Sequence, residues 1–402
     1  MTSVATMTSL RTATAHPRPG INAGPLGAAA LLVAIGTIYL GRDVGARQAS
    51  LFLVGVSAGI VLYHAAFGFT SSWRSFITTG RGAGLRAQML MLALTCAVFF
   101  PLLAHGQIFG QTVRGSVSPL SVSVVAGAFL FGIGMLLGGG CASGTLYTAG
   151  GGNTRMVLTL AAFIAGSVMG TAHMAWWAAA PALQPISLIA SLGAWPALAL
   201  SLGMFAMLTV ATIVVERRRH GALQPVGGAL DAPQLLRGPW PLVAGAVGLA
   251  IVNIATLLLA GRPWGVTSAF ALWGAKVVDA AGGHVAAWPY WSTPVQAAAL
   301  RAPLAFDVTS VMDVGIILGA LGAAALAGKF APAWGVSPRS AAAAIVGGLL
   351  LGYGARIAYG CNIGAYFSGI ASGSLHGWLW LVAAFIGNIA GTRLRPAFGM
   401  FG

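Results

Sequence analysis

Acidic side chains are nearly absent from this sequence. Its 402 residues include six Asp and Glu in total, and charged residues of both signs make up 7%. A soluble domain covers its surface with about a quarter charged residues, so an ordinary soluble fold is excluded. Cysteine is scarce as well: Cys96, Cys141 and Cys361 are the three in the chain. No CxxC, no His/Cys cluster and no even framework accompanies them, which argues against structural zinc and against a disulfide-stapled secreted fold. His64, His173 and His376 have no ligand spacing, and nothing in the chain calls for a metal or an organic cofactor. The formal net charge of +15 does not indicate nucleic acid, because the basic residues are scattered between apolar runs and form no basic face.

Hydrophobic length is what the chain has. Hydrophobic residues make up 57%, in runs close to the ~20 residues that cross a bilayer as helix. The readable segments are Pro25–Leu40, Leu51–Phe69, Ala87–Ala104, Ser118–Leu137, Met156–Ala180, Leu188–Val215, Pro241–Ala260, Asp307–Gly328, Ser340–Tyr359 and Gly377–Leu394. Two shorter pieces, Thr70–Thr79 and Thr267–Ala280, directly follow full-length helices and predict re-entrant half-helices. Backbone of that kind must be buried in protein or line a wet cavity. Glycine is abundant, at 58 residues, as suits close helix packing and broken segments. The polar, Pro/Gly-punctuated residues 1–24 predict a disordered tail.

The chain repeats itself. Gly127, Gly132 and Gly134 precede Gly140-Cys141-Ala142-Ser143-Gly144. Gly347, Gly352 and Gly354 precede Gly360-Cys361-Asn362-Ile363-Gly364 at the same distances. Ala161-Ala162-Phe163-Ile164 is answered by Ala383-Ala384-Phe385-Ile386, Gly170-Thr171 by Gly391-Thr392, and Gly68-Phe69-Thr70-Ser71 by Gly265-Val266-Thr267-Ser268. The divisions predicted are the tail 1–24, a first membrane repeat 25–219 with an extra first helix, a cytoplasmic linker 220–238 and a second membrane repeat 239–402. Taking Arg217, Arg218 and Arg219 as cytoplasmic puts Arg42, Arg47, Arg81, Arg86, Arg155, Arg237, Lys329, Arg339, Arg393 and Arg395 on the same side. Arg114, Arg262 and Arg301 fall on the other. The N-terminus is then outside, the C-terminus inside, and the repeats are inverted. The fold class predicted is an all-α polytopic membrane protein of two inverted pseudo-symmetric repeats with re-entrant, broken helices, an architecture of transporters.

Gly-Cys-x-x-Gly in a broken segment sets a thiol between flexible points. Glycine frees backbone N–H groups to form an anion-holding concavity, and half-helix N-termini add a positive end. The thiol is soft, polarizable and a weak donor. Free cysteines are often small buried hydrophobes, and that account suffices for Cys96. It does not explain matched glycines around Cys141 and Cys361. The candidate substrate path is therefore Gly140, Cys141, Ser143 and Gly144 with Gly360, Cys361, Asn362 and Gly364, joined by the hydroxyls of Thr70 and Thr267. Arg74 and Arg356 also belong to it, since a cation at membrane depth is costly and marks function by default, although a long side chain near a helix end can snorkel instead.

These motifs resemble the YeeE/YedE family of membrane proteins. The most specific stretch is Gly352-Tyr353-Gly354-Ala355-Arg356-Ile357-Ala358-Tyr359-Gly360-Cys361-Asn362-Ile363-Gly364, with Ser368-Gly369 downstream and Gly138-Gly139-Gly140-Cys141-Ala142-Ser143-Gly144 as its partner. The resemblance runs from about Leu51 to Leu394. It implies a helical pseudo-symmetric fold in the cell inner membrane and uptake of thiosulfate or a related small sulfur-containing anion that meets the cysteines along its path. The family's Gly-Phe-Cys element reads Gly68-Phe69-Thr70 here, and Ser75 stands where an acidic residue is usual. The partners expected are the anion and the lipid bilayer, with a cytoplasmic sulfur-acceptor protein on the sulfur-relay reading, and no nucleic acid. Three alternatives stay open: a membrane thiol–disulfide oxidoreductase using Cys141 and Cys361, a sulfur-relay subunit, and transport of a selenium compound. The expectation is a transporter, not an enzyme.

Overall fold

The computed structural model describes residues 20–333 and 335–400. Residues 1–19 of the expected tail lie outside the described residues, and the chain is already helical from Ala23, so the tail's predicted end at residue 24 is two residues late. The full-length helices are α1 (Ala23–Tyr39), α2 (Ala46–His64), α4 (Ala83–His105), α5 (Val122–Gly138) and α7 (Thr154–Ala172) in the first half. Between them lie the short α3 (Phe69–Thr79) and α6 (Ala142–Gly150). After α8 (Ala194–His220), the second half holds α9 (Leu242–Ala260), the short α10 (Thr267–Ala280), α11 (Val308–Leu326), α12 (Pro338–Ile357) and α13 (Leu375–Leu394). Ten stretches among the described residues are long and apolar enough to cross a membrane. Sheet is confined there to two ladders of two-residue strands.

Helix ends follow local chemistry. The apolar run predicted at Met156–Ala180 stops early, since α7 ends at Ala172 and a separate short helix, Met174–Ala178, follows. The run predicted from Leu188 is divided at Gly193, whose φ of +82° suits a residue without Cβ. The linker 220–238 is tied down: Asp231 caps a short helix, Ala232–Arg237, as one half of a capping box with Gln234. Above it, the fully buried Glu216 accepts from Arg86 Nη1 at 2.6 Å, Arg81 Nη1 at 3.2 Å, Gly82 N at 3.1 Å and Gln224 N at 2.9 Å. One carboxylate thus joins the foot of α8 to the α3–α4 turn and the linker.

The helices pair in a pattern that exchanges the two halves. α12 packs on α7 as α5 packs on α13, α11 on α2 as α4 on α9, and α5 meets α12 directly. A methyl group at Gly134 would meet Gly347 O and Leu351 N, both at 2.8 Å, and one at Gly354 would meet Gly127 O and Phe131 N. These are the same contact with the halves interchanged by an offset of 220 residues. Since 127 meets 354 where 134 meets 347, α5 and α12 run antiparallel. The same geometry corrects one sequence match. Gly132 abuts the Ala384 carbonyl and Asn388 N, while Gly352 abuts the Phe163 carbonyl and Ser167 N. Phe163 is therefore equivalent to Ala384, and the Ala-Ala-Phe-Ile strings are one residue out of register. They look alike because both fill the same apolar face, not because they align.

Candidate functional site

Both cysteines stand where a helix breaks and restarts. After α5, Gly139 turns with φ +89°, and Cys141 becomes the N-cap of α6. Its sulfur accepts from Gly144 N at 3.4 Å and lies 3.5 Å from Ser143 Oγ. After α12, Tyr359 has φ +59° and Gly360 φ +149°, and Cys361 precedes a π-helical turn, Asn362–Phe367. The Cys361 carbonyl accepts from Ala365 N at 2.8 Å and from Tyr366 N at 3.3 Å. π-turns are rare and concentrate at functional sites; the first half uses a regular helix at the same point. α6, which Cys141 starts, packs on the π-turn, which Cys361 starts. Both sulfurs are buried and free.

Against the second break lies a polar cavity of about 380 Å³. Arg114, Arg262 and Arg356 line it, with Ser116, Thr267, Ser268, Gly360 and Gly364. Two helix starts contribute: that of α10, whose N-cap Val266 offers no side-chain acceptor, and that of the π-turn. Helix N-termini leave donors unsatisfied and carry a partial positive charge. No acidic residue lines the cavity. Arg262 donates to Thr309 Oγ1 at 3.1 Å. Arg356 donates to Tyr290 Oη at 3.0 Å and stacks 5.1 Å from its ring centroid. The rim is braced from below: Ser368 Oγ donates to Trp264 O at 2.7 Å, Asn253 Oδ1 accepts from Trp264 N at 2.9 Å, and Ser372 Oγ accepts from Ser116 N at 2.9 Å. Between the lining residues Gly360 and Gly364 in the chain, Asn362 is fully buried, and neither its amide oxygen nor its nitrogen has a hydrogen-bond partner among the described residues. An unmade buried hydrogen bond costs about 1–3 kcal/mol, so this amide is suited to a guest.

Of the twelve path residues read from the sequence, Thr267, Arg356, Gly360 and Gly364 line this cavity, and Cys361 and Asn362 adjoin it directly in the chain. Gly140, Cys141, Ser143 and Gly144 form the other break. Thr70 and Arg74 are not in the cavity lining. Thr70 is buried near the start of α3 with its hydroxyl unpaired among the described residues. Arg74 belongs to a second basic group, with Arg395 and Arg155, near Leu136 O, to which Arg395 donates at 3.4 Å. Leu136 is nine residues along α5 from Gly127, the partner of Gly354, a rise of about 14 Å. The two arginines therefore serve opposite ends of the bundle. Arg114 and Arg262 carry no signal in the sequence beyond that of loop charges, and it is the fold that brings them to the cavity. Cys96 donates to Ile370 O at 3.9 Å inside the core.

Ten apolar spans, with broken helices whose starts adjoin a cationic cavity, define a multi-pass helical membrane protein. The chain belongs to the sulphur transport family, whose model matches residues 64–390. It is 28% identical over 348 residues to the thiosulfate transporter TsuA of Spirochaeta thermophila, covering 84% of this chain and 95% of that one. It is 24% identical over 350 residues to TsuA of Escherichia coli, covering 83% and 91%. A shorter match, 30% over 161 residues, is to the probable transporter YedE of Escherichia coli, covering 40% of this chain and 39% of that one.

Proposed function

We propose that this protein is an inner-membrane transporter that takes up thiosulfate or a related small sulfur-containing anion and passes it along the thiols of Cys361 and Cys141. The observation that carries this reading is the cavity of three arginines and two helix starts beside Gly360-Cys361-Asn362. An anion supplies acceptor oxygens to the guanidinium and N–H groups. The sulfur end of thiosulfate suits a soft thiol, which meets it without the desolvation cost of another charge. The names of the relatives turn a small anion into a sulfur anion.

The architecture that goes with this proposal is a pair of inverted repeats, residues 25–219 and 239–402, joined by a cytoplasmic linker. The antiparallel contact of the equivalent helices α5 and α12 supports it. Two such helices are exchanged by an axis perpendicular to both, and for membrane-spanning helices that axis lies in the membrane plane. With the linker 220–238 inside, the cavity at Arg262 faces the periplasm. The start of α1 then lies inside too, not outside as the charge count has it, because Asn22 N donates to Ala325 O and Asn22 Oδ1 accepts from Phe330 N beside Lys329. The anion then reaches Cys361 first and Cys141 second, with Thr70 in place of a further thiol toward the cytoplasm.

The test is uptake of labelled thiosulfate, sulfate and selenium oxyanions by cells expressing the chain. Thiosulfate should enter, and Cys141→Ala and Cys361→Ala should each cut uptake at least roughly tenfold, equivalent to about 1.4 kcal/mol, while Cys96→Ala leaves it unchanged. Stations in series fail singly. Full activity in the Cys141→Ala, Cys361→Ala double variant sinks the relay. A Cys141–Cys361 disulfide that forms and breaks with turnover replaces it with the oxidoreductase.

A further inference from the structure

The six acidic residues of the chain are Asp43, Glu216, Asp231, Asp279, Asp307 and Asp313. Asp43 is exposed. Glu216 holds two arginines, and Asp231 caps its short helix. Asp279 accepts from Val285 N at 3.1 Å, and Asp307 from Ser310 N at 2.8 Å. Asp313 differs from all of them. It is wholly buried, in α11, and neither carboxylate oxygen has a hydrogen-bond partner among the described residues.

Its position is defined by its neighbours along α11. Thr309, Asp313 and Ile317 stand four residues apart and share one face. Thr309 Oγ1 receives Arg262 and lies 3.1 Å from Ser268 Oγ, both residues of the cavity lining. The Ile317 carbonyl abuts Gly150 of α6. Asp313 thus sits one helical turn below the cavity, between it and the helix that Cys141 starts. Met312 and Ile316, beside it, pack their backbone on Gly55 and Gly59 of α2, where α2 offers no charge. Of the titratable groups on the surrounding elements, Lys276 of α10 is spent on Leu300 O and Ala302 O, and Arg262 on Thr309. Tyr147 of α6, Cys361 and Asp307 remain, with Arg47 at the start of α2 and Tyr63 and His64 at its far end. α2 meets Met312 and Ile316 at Gly55 and Gly59, eight residues from Arg47 and five from His64, so no cation stands level with Asp313. A buried carboxylate without a cation or donor is very costly, whereas the protonated acid is neutral and carries a donor of its own.

We propose that Asp313 is the protonation site that couples proton entry to passage of the anion. The proposal rests on the transport reading above. The proton is taken from water through the Arg262 cavity. The neutral acid O–H donates to the anion at the Cys361–Asn362 station, where a carboxylate would repel it. When the path opens to the Cys141 side, the proton leaves to water there with the anion, and Asp313 is reprotonated from the first side. One proton and one anion cross per cycle, with no bond in the anion broken.

The experiment uses the full chain in proteoliposomes, with the membrane potential clamped at zero. For one-to-one coupling, an inward proton gradient of one pH unit should raise the steady-state accumulation of labelled thiosulfate about tenfold. In Asp313→Asn that response should vanish, while exchange of labelled for unlabelled thiosulfate at equal pH slows but stays measurable, because the amide N–H can still donate to the anion and cannot titrate. Asp313→Glu, which restores a titratable acid, should recover the gradient response, and it serves as the second arm if the Asn variant does not fold. An Asn variant that still accumulates with the gradient overturns the proposal, as does an unaltered protein that exchanges thiosulfate yet ignores the gradient. If the unaltered protein exchanges no sulfur anion at all, the transport reading fails first and the coupling with it.

Discussion

Individual side chains decide what the cavity can hold. Arg114, Arg262 and Arg356 come from three different parts of the chain and meet at one opening. A hydrogen bond to a charged group is worth about 1.5–3 kcal/mol, and each 1.4 kcal/mol is a factor of ten. Arg262→Ala and Arg356→Ala should each raise the half-saturating thiosulfate concentration roughly tenfold or more, with a smaller change in maximal rate. Arg356→Lys should recover part of the loss, because a lysine keeps the charge but not the planar fork that lies on Tyr290. Initial-rate uptake curves check this, and unchanged half-saturation in both alanine variants moves the binding site elsewhere. The cysteines, Asn362 and Arg356 were legible in the sequence because they fall inside a repeated glycine frame. Arg114 and Arg262 were not: two loop arginines report only which end of a helix they follow until the fold brings the loops together, as it does through the Arg114 N–Gly261 O bond of 2.9 Å.

At the scale of helices, apolar length was the dependable signal, and the re-entrant α10 occupies its expected span, Thr267–Ala280. What the sequence could not supply was how equivalent helices differ. Nothing in Gly-Cys-x-x-Gly distinguishes the regular α6 from the π-turn after Cys361, because the choice depends on which carbonyl each new N–H finds. Register across halves was blurred for a related reason, since small and aromatic residues satisfy the same packing face one position apart. Between helices, the buried Glu216 is the firmest polar tie. Removing one partner of a buried ion pair costs about 3–5 kcal/mol because the other charge is left unpaired, and Arg86 is only 8% exposed at its side chain. Glu216→Ala should therefore lower the thermal midpoint of the detergent-solubilised protein clearly, and Glu216→Gln less so. A midpoint unmoved by either would show that the tie between α8 and the α3–α4 turn contributes little.

At the scale of the whole molecule, the structure sorts the basic residues into two ends, and charge counting anticipates this only in part. α2 runs parallel to α11, with Gly55 on Met312 and Gly59 on Ile316, so Arg42 and Arg47, counted as cytoplasmic, fall at the Arg262 end. Arg81 and Arg86 join Glu216 beside Arg217, while Arg114 and Arg262 share the cavity at the other end. Which end faces the cytoplasm is open to direct labelling. A cysteine placed at Ser116 should react with a membrane-impermeant thiol reagent added to intact cells, and one at Ala222 only after permeabilisation; the reverse result inverts the proposed orientation. The glycine seam between α5 and α12 has a consequence for the history of the chain. There Gly134 abuts Gly347 O and its equivalent Gly354 abuts Gly127 O, so each half supplies the guest of one contact and the host of its mate. A half-length ancestor that met its own copy antiparallel, across a two-fold axis, would have formed the whole seam from two glycine codons. Duplication and fusion would then carry that interface into a single gene already complementary, and each half could drift on its own only where, as at Cys361 and its π-turn, it no longer had to match its twin.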